Sequence, residues 1–69
     1  MNLTPQDFYR MEYLLGKAKV QGLNPMEELE LRGLLMKEDP SAQNKALNDL
    51  IVLGAILVGI YLLAKALEK

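Results

Sequence analysis

Residues 50–64, LIVLGAILVGIYLLA, run without a charged side chain, and five residues follow them. As an α-helix this run is about 22 Å long, short of the roughly 30 Å hydrocarbon layer of a bilayer. Lys65 extends its reach, because its ammonium can snorkel outward while Ala66 and Leu67 stay among apolar groups, giving about eighteen usable residues. The distribution of side chains constrains the chain more than the length does. Leu50, Ile51, Val52, Leu53, Ile56, Leu57, Val58, Ile60, Leu62 and Leu63 surround such a helix in every direction. A helix that is apolar all round needs apolar surroundings. Three environments supply them: lipid, identical copies in an assembly, or the core of a monomeric bundle. Two short partner helices cannot enclose a third on all sides, so the expectation is a transmembrane segment over 50–67. A self-assembled core is the alternative. Tyr61 suits an interfacial position only if the helix is short or tilted.

The remaining residues do little to relieve this demand. Sixty-nine residues make one small domain, and a chain of that size buries a marginal core in water. Cysteine and histidine are both missing, so neither disulfides nor the usual zinc ligands can staple it. Their absence also removes the side chains that most often activate a nucleophile.

Upstream, LTPQDFYRMEYLLGK (3–17) aligns with LNPMEELELRGLLMK (23–37), twenty residues apart. Leu3/Leu23, Pro5/Pro25, Leu14/Leu34, Leu15/Leu35 and Lys17/Lys37 are identical. Two units are too few for a solenoid, and a shared way of starting a helix explains the likeness as well as duplication does. Thr4 and Asn24 are N-cap residues able to accept first-turn amides. Pro5 and Pro25 then occupy the first helical position, where a missing N–H is harmless. Asp7 and Glu27, three residues after each cap, complete capping boxes, and Leu3 can staple onto Phe8. Gly22, following Lys17 and Lys19, is a stop signal.

These signals place helices over about 5–20 and 25–38, with apolar stripes of Phe8, Met11, Leu15 and Leu14 or Ala18, and of Leu31, Leu34, Leu35 and Met36. The short QGLN turn between them suggests an amphipathic αα-hairpin over residues 1–38. Asp39 and Pro40 repeat the start signal. Residues 39–49 therefore read as the polar beginning of a third helix, one rod over about 40–68. The fold class is all-α: an N-terminal antiparallel helical hairpin followed by a long C-terminal helix that is transmembrane.

The formal net charge is −1, and no basic face exists for neutralising phosphates, which argues against nucleic acid. Ser41 and Thr4 are the only hydroxyl residues of their types and both serve helix starts. The acidic group Glu27, Glu28 and Glu30 sits where acidic residues favour a helix N-terminus. No glycine-rich phosphate cradle is present. No enzymatic activity, cofactor, metal or small-molecule substrate is therefore expected.

One recognition seam is legible. Asn48, Val52, Ala55, Gly59, Leu62 and Ala66 recur at alternating spacings of four and three, and Ala55 with Gly59 forms a small-xxx-small pair that permits close helix approach. Tyr9 and Tyr13, on one face at i and i+4, are possible partner contacts. No basic stretch followed by an apolar run opens the chain, so no signal peptide is expected. The expected protein is a single-pass, tail-anchored membrane accessory or assembly subunit. Its partners are a lipid bilayer and a protein or further copies of itself. Residues 1–49 are expected in the cytoplasm, although flanking lysines on both sides leave the positive-inside rule silent on orientation. The alternative is a self-assembling structural protein of a virion or membrane-associated particle.

Overall fold

The computed structural model describes residues 2–68. It contains α1 (Pro5–Val20), α2 (Pro25–Met36), a short 3₁₀ helix (Pro40–Asn44) and α3 (Leu47–Leu67), with no strand among the described residues. Both expected capping boxes form. The Asp7 amide donates to Thr4 Oγ1 (3.1 Å) while the Thr4 amide donates to the Asp7 carboxylate (3.0 Å). Asn24 and Glu27 reproduce the arrangement at 2.8 and 3.0 Å. Each box satisfies two amides that the helix itself leaves unpaired. At the other end of α1, Gly22 takes φ 84° and donates its amide to the Lys17 carbonyl at 3.0 Å. Glycine adopts this left-handed conformation without a Cβ clash.

The apolar stripes converge on one core. Phe8, Met11, Leu14, Leu31, Leu35 and Leu50 are its largest fully buried side chains, joined by Leu3, Ala42 and Val58. Burying each large member contributes about 1.5–3 kcal/mol. Leu15, Leu34 and Met36 pack against this core without entering it fully, so the α1 stripe runs through Leu14 and leaves Leu15 free to meet α3. Three ion pairs join α1 to α2 and its flank: Arg10 with Glu30, Lys17 with Glu27, and Asp7 with Lys37.

The continuous rod expected over 40–68 is broken. Asp39 and Pro40 do start a helical turn, with the Ser41 amide donating to Asp39 Oδ1 at 3.0 Å, but that turn is 3₁₀ and ends at Asn44. Lys45 and Ala46 are extended (ψ 146° and 160°), and α3 begins only at Leu47. The cause lies in α2. The Arg32 guanidinium donates from one nitrogen toward the carbonyls of Ala42 (3.0 Å), Gln43 (3.2 Å) and Lys45 (2.6 Å). In a continuous helix those carbonyls would receive amides four residues on; here Ala42 accepts from the Lys45 amide three residues on, at 3.2 Å, and Arg32 adds a charged donor to all three carbonyls.

Helix α3 does not stand away from the rest. At 21 residues it is about 31 Å long, and the longest dimension of the whole molecule is only 38 Å. The radius of gyration, 11.7 Å, is close to the about 11 Å of a compact chain of this length. Helix α1 makes the most extensive contact with α3.

Candidate functional site

Helix α3 has a covered and an open side. Leu50, Gly54 and Val58 are its buried positions, and Tyr61 is half-buried beside them. These four, spaced by about one turn each, lie on the covered side. The Tyr61 ring stacks on Phe8 with centroids 4.1 Å apart and planes 8° from parallel. About two turns earlier, the methyls of Leu15 approach the position that a Gly54 Cβ would take, to 3.1 Å. At the far end, Lys65 Nζ donates to the Tyr9 hydroxyl at 3.2 Å and lies 5.5 and 5.7 Å from the Tyr9 and Tyr61 ring centroids. Rising positions on α1 thus meet falling positions on α3, and the two helices run antiparallel.

The opposite side of α3 is bare. Val52, Ile56, Ile60, Leu62, Leu63 and Leu67 are between 47% and 77% exposed. Only 17% of the most apolar eighteen-residue window of α3 is buried. A core helix of a water-soluble domain is buried on most of its surface; this one is uncovered over most of it. By length and composition α3 is sufficient to cross a membrane.

The sequence-derived seam lies on this bare surface. Asn48, Val52, Ala55, Gly59, Leu62 and Ala66 are all exposed. Ala55, Gly59 and Leu62, with Ile51 and Val58, form one wall of a groove of about 390 Å³ whose other wall is Glu12, Leu15, Gly16 and Lys19 of α1. Gly16 and Gly59 open toward empty space there. Small residues leave the groove open, and apolar side chains make up its α3 wall.

Tyr9 and Tyr13 are also exposed, at 54% and 52%. Each is already attended by a cation of its own chain, Tyr9 by Lys65 and Tyr13 by the Arg10 guanidinium 5.0 Å from its centroid. The acidic group on α2 is divided among separate cations. Glu27 pairs with Lys17, Glu28 with Arg32 and Glu30 with Arg10. The hydrogen bond from Lys17, then that from the Asn24 amide, holds the Glu27 carboxyl below its ordinary range, and Arg10 does the same for Glu30. Lys17 and Arg10 are correspondingly raised by those carboxylates. Among the described residues no cluster of three potential metal ligands occurs.

The sequence pointed to the seam but not to the contacts on the covered side. Gly54, Tyr61 and Lys65 meet Leu15, Phe8 and Tyr9 across a separation of about forty to fifty-six residues, and no local pattern registers such a pairing. The aromatic pair was the available hint, since Phe8 and Tyr61 each interrupt an otherwise aliphatic stripe. Comparisons with protein families, with characterised proteins and with solved structures find no match for this chain.

Proposed function

We propose that this is a small, non-enzymatic, membrane-anchored accessory or assembly protein. In this reading α3 crosses the bilayer once, and α1 and α2 form a hairpin presented at the surface to a protein partner. The observation that carries it is the exposed aliphatic surface of α3, from Val52 to Leu67. Lipid is the environment that covers such a surface without requiring a complementary protein. Antiparallel pairing of α1 and α2 is supported by their ion pairs, in which Arg10 reaches Glu30 and the later Lys17 reaches the earlier Glu27.

The charges of α1 set its place. Asp7, Arg10, Glu12, Lys17 and Lys19 lie along it, and a charge at the bilayer centre costs about 2.5–3.5 kcal/mol on insertion scales. Helix α1 therefore belongs in water or at the headgroups. The mechanism is positional: tethering the hairpin to the bilayer raises its local concentration for a membrane-bound partner. The test is to collect membranes from cells making the full chain and extract them with alkaline carbonate. Retention in the pellet is expected; recovery of the whole chain in the soluble fraction, with membranes present, rules the reading out.

A second reading rests on the exposed Asn48–Ala66 seam, with Ala55 and Gly59 at its centre. There α3 is covered by copies of itself, as a structural protein of a virion or membrane-associated particle. Electron microscopy separates the two: regular shells or filaments support self-assembly, and dispersed micelle-bound particles support the anchor.

A further inference from the structure

We propose that α1 is a detachable cover for α3, and that the α1–α3 contact must open before α3 can enter a bilayer. This rests on the membrane reading and adds a conformational step to it. The same side of α3 cannot hold both α1 and lipid. Helix α1 lies along α3 from Leu15 at Gly54 to Tyr9 at Lys65, which is most of the length that would occupy hydrocarbon. An intact bundle would take Asp7, Arg10, Glu12, Lys17 and Lys19 in with it, together with the α2 carboxylates of Glu27 and Glu30 that pair with two of them. Insertion and docking are therefore mutually exclusive arrangements of one chain.

The fold contains a pivot for the exchange. Ala46 is extended, provides no side-chain cap to α3, and follows the extended Lys45. Arg32 fastens the 3₁₀ helix and the Lys45 carbonyl to α2. The break thus falls between a segment tied to α2 and a helix that packs on both α1 and α2 and meets α1 at three specific contacts. Those are the Phe8–Tyr61 stack, the Leu15–Gly54 approach and the Lys65–Tyr9 hydrogen bond. Opening at Ala46 withdraws Leu50 and Val58 from the shared core and leaves Phe8, Met11 and Leu14 of α1 with Leu31, Leu35 and Ala42 to pack against one another.

The chain has no cysteine of its own, so a bridge between two introduced ones is unambiguous. The double substitution Leu15→Cys, Gly54→Cys places the pair where the Leu15 side chain comes within 3.1 Å of the position a Cβ at residue 54 would take. Replacing Leu15 also removes the methyls that would crowd a new side chain at position 54. The purified full chain is mixed with phosphatidylcholine–phosphatidylglycerol vesicles, oxidised or reduced, and carbonate-resistant insertion is measured. The expected result is loss of insertion when the bridge is closed and its recovery on reduction. Insertion of the bridged form equal to the reduced form overturns the covering role while leaving the anchor standing. Failure of the reduced form and of the unsubstituted protein overturns both. Gly54→Leu provides an independent check, because its bulk separates the helices: it is expected to insert faster than the unsubstituted chain, and an equal or slower rate counts against the cover.

Discussion

Placing a charge on the open side of α3 separates its two environments. Ile56 lies near the midpoint of Leu47–Leu67 and is 54% exposed. In water, Ile56→Lys puts an ammonium where solvent already reaches, and substitutions of that kind change stability by about 0.5 kcal/mol or less. In a bilayer the same change removes an isoleucine worth about 0.3–0.6 kcal/mol of insertion and adds a lysine costing about 2.5–3.5 kcal/mol. Together they disfavour insertion by about 3–4 kcal/mol, or two to three decades in the partition ratio at about 1.4 kcal/mol per decade. The assay is flotation with vesicles over a range of lipid concentration, alongside thermal melting without lipid. The expected pattern is an unchanged melt and a collapse of vesicle binding. Unchanged vesicle binding would mean that the open side never meets lipid. A large drop in melting temperature would mean instead that Ile56 is covered in solution.

Other substitutions address the bundle itself. Leu31 is fully buried between the helices, so Leu31→Ala should cost about 2–5 kcal/mol, read as a fall in the urea midpoint; a negligible shift would remove it from the core. Arg32→Met keeps the aliphatic stem but withdraws the donor shared by Ala42, Gln43 and Lys45. A loss of about 1.5–3 kcal/mol is expected for hydrogen bonds to a charged group, with faster amide exchange at Ala42 and Lys45; unaltered exchange there would show that Arg32 does not maintain the break. Glu27 and Glu30 are held below their ordinary range in the folded chain. Their contribution is accordingly complete above the unfolded carboxylate range, near pH 4.3, and is lost as pH falls through the lower folded values. Melting temperature should drop on acidification below about pH 4, and less so in a Glu27→Gln, Glu30→Gln variant; identical acid sensitivity in that variant would refute the assignment.

What could be read along the chain is what depends on near neighbours. Thr4-Pro5 with Asp7, and Asn24-Pro25 with Glu27, mark the starts of α1 and α2 because a capping box closes within three residues. The absence of a polar side on α3 was equally legible, since it follows from composition alone. Asp39-Pro40 has the same local grammar, yet it opens only a 3₁₀ turn. The competing partner, Arg32, is supplied by another helix and lies ten residues from Ala42 in sequence. Likewise, nothing near Gly54 in the chain announces that Leu15 rests on it, or that Phe8 stacks on Tyr61. Local hydrogen bonding and side-chain character thus set which segments are helical and that α3 is long and apolar enough to cross a membrane. Packing between distant segments selected the side of α3 that α1 covers, the side left bare, and the point at which the chain breaks. Those choices arise from mutual fit among surfaces that meet only once the helices have assembled.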